Sequence, residues 1–212
     1  MMRKRLLYIP NVIDYLRFVL VLMSWVTYYS HPFSSAALYT VSISLDGVDG
    51  YLARKLKQQS EFGAWLDVVV DNIGRGMIWC RLYHFGFLVA ALEWLTFVCT
   101  HQCYSEWKTP PAEAPVLVKA VMAHNFKSLW GFIAVGSLHV LPLWLYCHYS
   151  GVFIDIFIPM SLQYVGIGLL ASGRSLCMLV ELWFVYNHIL CLLNEEARAA
   201  VSRTNKELQA NH

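Results

Sequence analysis

Residues 46–71 read DGVDGYLARKLKQQSEFGAWLDVVVD, and they contain four of the six aspartates in the chain. Asp46 and Asp49 are three residues apart, and Asp67 and Asp71 are four apart, so each pair lies on one face of a helix. The segment between the pairs, residues 55–61, is short and polar. It predicts two antiparallel helices whose carboxylate pairs can converge.

The composition of the whole chain is that of a membrane protein. Of its 212 residues, 58% are hydrophobic and 14% are charged, and the mean hydropathy is +0.47. Because ~20 apolar residues in a helix cross a ~30 Å hydrocarbon layer, the recurring apolar stretches predict membrane crossings. A net charge of only +2 provides no polyanion-binding surface, so the expected partner is the lipid bilayer and not nucleic acid.

The apolar stretches predict an all-α fold, a polytopic membrane protein built as a six-transmembrane-helix bundle. In the last stretch, 158–193, Gly166, Gly168 and Gly173 are expected to break the helix, which leaves a tilted or interfacial first half and a span from about Gly173. Residues 1–193 form the predicted membrane domain, and residues 194–212 form a polar cytosolic tail. The other predicted spans are 12–29, 34–54, 62–81, 85–103 and 128–149.

The distribution of basic residues predicts the orientation of this multi-pass protein. Lysines and arginines occur in residues 3–5, in residues 54–57 and in the tail, which six spans place on one side. Since basic connections favour the cytosol, both termini are predicted to be cytosolic.

The presence of the motif aspartates inside predicted membrane spans needs a physical reason, since ionisable groups inside a membrane are costly. Both pairs lie about 8 to 13 Å below the predicted turn, at ~1.5 Å per residue. Four carboxylates at one depth cannot all stay ionised without cations. Oxygen ligands select Mg²⁺ or Mn²⁺, and a pair of such ions suits displacement at phosphorus. The alternative is that the aspartates reach the membrane interface or form structural ion pairs with Arg54, Arg75 and Arg81.

The pattern Asp46-x-x-Asp49-Gly50-x-x-Ala53-Arg54, followed after eight residues by Gly63-x-x-x-Asp67-x-x-x-Asp71, resembles the complete signature of the CDP-alcohol phosphatidyltransferase family. The resemblance implies a six-helix membrane enzyme, usually a homodimer, in which an alcohol hydroxyl displaces CMP from a CDP-linked substrate with the help of Mg²⁺ or Mn²⁺. It implies these roles: metal ligands Asp46, Asp49, Asp67 and Asp71; catalytic base Asp71; and contacts to the CDP-diacylglycerol substrate from Gly50, Arg54, Ser60 and Gly63.

Within that family, the segment from Tyr8 to Arg17 is similar to the opening of the eukaryotic phosphatidylinositol synthases. This resemblance implies myo-inositol as the acceptor and the endoplasmic reticulum as the location. The sequence departs from that branch on the expected acceptor side, at Asn72, Thr96 and His101.

Other interpretations stay open. The same chemistry could use glycerol 3-phosphate, serine or another polyol, or the chain could be a catalytically silent paralogue that binds CDP-lipid. A transporter is a more remote possibility, because buried acids and glycine-rich helices also occur there. Arg174 is expected either to bind a substrate or to reach the membrane interface, Glu181 to form a helix–helix contact, and His139 to be interfacial.

Overall fold

The computed structural model describes residues 5–101 and 114–210, with side chains described up to residue 198. The described part is helical and contains no strand. The predicted end of the fourth span, at Cys103, lies outside the described residues. The helices are α1 (Ile9–Thr27), α2 (Pro32–Lys55), α3 (Glu61–Leu82), α4 (Gly86–His101), α5 (Val116–Phe126), α6 (Leu129–Tyr149), α7 (Val152–Asp155) and α8 (Met160–Ala210).

Local sequence signals begin several of these helices. Pro10 and Pro32 lie in the first turns of α1 and α2, where a missing N–H costs nothing. Ser60 caps α3, since its side chain accepts a hydrogen bond from the Gly63 N–H at 3.0 Å. The start of the second motif helix is therefore fixed by residues inside the motif.

The predicted short connection between α2 and α3 is present, but the two helices make almost no direct contact and do not form a packed hairpin; α1 packs against both of them. The backbone N–H of Ile9 donates to the Gln58 side chain at 3.0 Å, which joins the start of α1 to the turn between α2 and α3. At the other end of α1, the Ser24 and Ser35 hydroxyls lie 3.0 Å apart. The basic residues around Arg54 and the start of α1 therefore lie at the same end of the bundle.

The predicted break in the last apolar stretch is wrong, because α8 runs without interruption from Met160 to Ala210. Two of its three glycines serve packing instead. A Cβ atom on Gly166 would collide with the Trp144 ring, and one on Gly173 would collide with the Ser137 side chain. Both partners belong to α6, so these two glycines let α6 and α8 approach closely.

The short helix α5 is absent from the predicted spans, which left residues 104–127 as a connection. Its apolar residues Val118, Val121 and Met122 are buried against α6 and α8. The following residues turn the chain into α6 through positive φ angles, 54° at His124 and 58° at Asn125.

Many large apolar side chains lie on the outside of the bundle, for example Phe132 and Leu169, which are 75% and 68% exposed. Three helical segments are long and apolar enough to cross a membrane: Ile9–Thr27, Leu129–Tyr149 and Met160–Arg198. α2 and α3 are long as well, but they carry the motif charges. The apolar helices indicate an integral membrane protein.

Candidate functional site

The four motif aspartates meet around one guanidinium, that of Arg17. Its Nη1 lies 2.8 Å from Asp49 and 2.6 Å from Asp67, and its Nη2 lies 2.8 Å from Asp46 and 2.6 Å from Asp71. The predicted convergence of the two pairs is therefore confirmed. Through these contacts, Arg17 bridges α2 and α3.

α1 supplies both this arginine and a fifth carboxylate. Asp14 lies 2.8 Å from Arg17, one helical turn earlier, and the two side chains are 3% and 1% exposed. Neither residue was among the predicted site residues. The signal was available, since both are charged residues inside an apolar span, which is the criterion that selected the motif aspartates.

Two overlapping sets of carboxylates have the spacing of cation sites. Asp14, Asp49 and Asp67 form one set, and Asp46, Asp67 and Asp71 form the other; within each set one oxygen per residue lies within 4.8 Å of the others. Donor sets made only of carboxylate oxygens suit Mg²⁺ or Mn²⁺. Five carboxylates against one guanidinium also leave an excess of negative charge that such ions would offset. The residues therefore fit a pair of divalent cations that share Asp67.

Asp71 has more partners than the other motif aspartates. His139 of α6 places its Nε2 2.8 Å from the second carboxylate oxygen of Asp71, and Arg75 approaches the same oxygen at 3.3 Å. His139 is only 16% exposed. The expectation that His139 is interfacial is thus wrong: it lies in the middle of α6, where it holds the orientation of Asp71.

The predicted nucleotide-contacting residues lie at the end of the bundle near the α2–α3 turn. Arg54 folds back over Gly50, with its guanidinium 3.5 Å from the position that a Cβ atom would take. A Cβ atom on Gly63 would lie 2.6 Å from Oδ1 of Asn11, so this glycine lets α1 and α3 approach closely. Ser60 caps α3. Contact of these residues with a nucleotide stays a prediction.

A cavity of about 820 Å³ opens beside Asp67 between α3, α4, α6 and α8. Its wall is mostly apolar and aromatic. It includes all three positions where the sequence departs from the synthase branch: Asn72, Thr96 and His101. The structure therefore brings all three departures to one cavity that borders the carboxylate cluster.

A buried ion network joins three helices at the wall of this cavity. The Arg75 Nε donates to Glu93 at 2.8 Å. Arg174 lies 3.3 Å from Glu93 and 2.8 Å from Glu181. Arg174 is 6% exposed, so the expectation that it reaches the membrane interface is wrong. Through Arg174, Glu181 takes part in the predicted polar contact between helices.

The sequence profile of the CDP-alcohol phosphatidyltransferase family matches residues 7–186. This range includes the carboxylate cluster, the cavity and the ion network.

Curated relatives that match the chain are named CDP-diacylglycerol–inositol 3-phosphatidyltransferase. The Candida albicans protein is 46% identical over 66 residues, which are 31% of this chain and 29% of that protein. The Saccharomyces cerevisiae protein is 40% identical over 75 residues, 35% of this chain and 34% of that protein. The match thus spans about a third of the length of these relatives. The Schizosaccharomyces pombe protein is 31% identical over 150 residues, 65% of this chain and 63% of that protein. No solved structure shows a significant match.

Proposed function

This chain belongs to the CDP-alcohol phosphatidyltransferase family, and we propose that it transfers a phosphatidyl group from CDP-diacylglycerol to a small alcohol and releases CMP. The acceptor is proposed to be myo-inositol, which the names of the matching relatives contain. One observation carries the proposal. Five carboxylates from three helices converge on one point next to an 820 Å³ cavity.

The two overlapping carboxylate sets would hold Mg²⁺ or Mn²⁺ through Asp14, Asp46, Asp49, Asp67 and Asp71. Such ions offset the charge of a diphosphate and polarise its phosphoryl oxygens. The excess of carboxylates over guanidiniums in this cluster suits such ions and supports this assignment.

Asp71 is proposed as the base. As the acceptor oxygen forms a bond to the phosphorus that carries diacylglycerol, its proton passes to the Asp71 carboxylate, and the bond from that phosphorus to the oxygen of CMP breaks. A base must lie within reach of the hydroxyl whose proton it takes. Asp71 lies one helical turn from Asp67 at the cavity wall, and its contact with His139 at 2.8 Å fixes its orientation.

The nucleotide is proposed to bind at the α2–α3 end of the cluster. Arg54 is exposed there, and a guanidinium is a suitable bidentate partner for a phosphate group. Gly50 lies directly beneath this guanidinium, while Ser60 and Gly63 form the adjoining first turn of α3.

The membrane arrangement is proposed to comprise six spans, namely α1, α2, α3, α4, α6 and α8. Both termini would then be cytosolic, because the basic residues near Arg54 lie at the same end as the start of α1. Residence in the endoplasmic reticulum and a homodimer complete the proposal.

The test uses purified full-length chain with CDP-diacylglycerol, Mn²⁺ or Mg²⁺ and labelled myo-inositol. We expect labelled phosphatidylinositol and an equal amount of CMP, and no product with EDTA. Asp71→Asn should lower kcat by about 10² to 10⁴-fold, since it removes the base. Asp155→Asn makes the same chemical change at an exposed residue of α7 and should leave kcat unchanged.

A catalytically silent CDP-lipid-binding protein is the second candidate. It is favoured by Arg17, which partly neutralises the five carboxylates by itself. Binding of CDP-diacylglycerol without CMP release from any acceptor would support this candidate and contradict the transferase.

A further inference from the structure

We infer, on the basis of the proposed function, that the cavity takes a neutral polyhydroxy acceptor and that Glu93 makes it reject a phosphorylated one. Asn72 and Thr96 are the residues that bind the acceptor hydroxyls. Three features of the cavity wall support this assignment: its carboxylates, the pairing of the nearby guanidiniums with protein groups, and its unpartnered neutral groups.

The described residues that line the cavity give it an acidic character. Four of them are carboxylates, Glu61, Asp67, Glu93 and Glu181, whereas Arg75 is the one arginine among them. A phosphate group on the acceptor would enter a partly apolar space beside Glu93 and Glu181, whose arginine partners are already engaged by these carboxylates. Like charges at short range in such a space are strongly unfavourable.

The guanidiniums nearest the cavity are already occupied by protein groups. In Arg75, Nε donates to Glu93 at 2.8 Å, Nη2 donates to the Asn72 oxygen at 2.5 Å, and Nη1 lies 2.7 Å from His139. Arg174 is held between Glu93 and Glu181. Since bidentate phosphate binding needs two free N–H groups on one edge, Arg75 does not offer the required edge. Arg174 has both Nη atoms paired, and only its Nε has no partner among the described residues. Glu93 is the residue that contacts both arginines.

Two neutral polar atoms at the wall have no hydrogen-bond partner among the described residues: Nδ2 of Asn72 and Oγ1 of Thr96. Asn72 is 3% exposed. Because its amide oxygen accepts from Arg75, the amide orientation is fixed and the NH₂ group is left free. A buried donor without a partner is costly unless a ligand or water satisfies it. An amide N–H and a hydroxyl are natural partners for the hydroxyls of a polyol.

The experiment measures CMP release by the full-length protein with matched acceptors: myo-inositol and glycerol against inositol 1-phosphate and glycerol 3-phosphate. We expect the wild type to favour each neutral acceptor at least 100-fold in kcat/KM. Glu93→Gln should lower this preference at least tenfold, because it frees Arg75 and Arg174. Glu195→Gln, the same change at an exposed residue of α8, should not alter it.

Two further variants address the hydroxyl contacts. Thr96→Val and Asn72→Asp should each raise the KM for the neutral acceptor roughly tenfold while the KM for CDP-diacylglycerol stays unchanged. Asn72→Asp keeps the oxygen that faces Arg75. Thr96→Val leaves the ion network intact. If Glu93→Gln does not fold, the acceptor KM of Thr96→Val tests the inference. The control Thr40→Val removes a hydroxyl on α2, away from the cavity.

The outcomes separate this inference from the proposed function. Equal or better use of a phosphorylated acceptor by the wild type would overturn the inference and leave the transferase intact. An unchanged preference in folded Glu93→Gln, or an unchanged acceptor KM in Thr96→Val and Asn72→Asp, would do the same. Absence of CMP release with every acceptor would overturn the proposed function and the inference with it.

Discussion

The two polar centres inside this bundle differ in their charge balance. Around Arg17, five carboxylates share that guanidinium and a single contact from Arg75 to Asp71; around Glu93, two carboxylates face the guanidiniums of Arg75 and Arg174. The first centre has room for more positive charge, which suits divalent ions and a diphosphate. The second is balanced by protein groups alone, which suits an uncharged ligand. The difference indicates that the two centres, both of which include residues of α3, suit different kinds of ligand.

Asp67 should be the most sensitive position of the first centre, because both carboxylate sets share it. Asp67→Asn is expected to lower kcat for CMP release on the order of 10³-fold, and excess Mn²⁺ should not restore it. Rates are measured across a Mn²⁺ titration, with Asp155→Asn as the control. A rate that recovers fully at high Mn²⁺ would contradict the sharing of Asp67 between two sites.

Arg17→Gln tests whether the excess of carboxylates around Arg17 destabilises the folded protein. Removal of one partner from a buried ion cluster costs about 3 to 5 kcal/mol, so the metal-free protein should unfold at a clearly lower temperature. Mn²⁺ should restore part of this loss, because ions that bind only the folded state stabilise it. The measurement is thermal unfolding in detergent with and without Mn²⁺, with Arg198→Gln as an exposed control. Equal stability of Arg17→Gln and wild type in EDTA would refute the idea.

The stability of the folded protein should respond differently to single and paired substitutions around Glu93. Arg174→Met leaves two buried carboxylates for one guanidinium and should cost about 3 kcal/mol. Adding Glu181→Leu restores a one-to-one ratio, so the double variant should be more stable than Arg174→Met alone. Thermal unfolding of the wild type, the two single variants and the double variant forms a complete cycle. Additive losses would mean that the two residues do not act as a pair.

The smallest loss of stability is expected from a substitution in the packing of α8 against α6, next to the second centre. Gly173→Ala places a methyl group against Ser137 of α6 and should cost about 1 to 3 kcal/mol through overpacking. Gly168→Ala, five residues earlier on α8, has nothing within 4 Å of the new methyl group. It should be neutral or stabilising by about 0.5 to 1 kcal/mol, because alanine favours a helix. Equal unfolding temperatures for these two variants would contradict the packing role of Gly173.

The sequence predicted the face of the bundle that carries the aspartates well, but it predicted α8 poorly. Helical spacing within residues 46–71 is a local property, so the two carboxylate stripes and their tight connection could be read directly from the chain. The glycines of α8 are locally ambiguous, since the same residue can end a helix or permit close packing. Trp144 and Ser137, which decide between these options, lie on another helix. α5 was missed because its burial depends on α6 and α8.

The sequence by itself determined that this is a helical, membrane-embedded chain with paired aspartates at matched depths, because helical periodicity and hydropathy act over short distances along the chain. Only the tertiary structure decided which charges meet. Arg17 and Asp49 are 32 residues apart, His139 and Asp71 are 68 apart, and Arg174 and Glu93 are 81 apart. In a low-dielectric interior each buried charge must find a partner, and the packing of helices that are distant in sequence selects that partner.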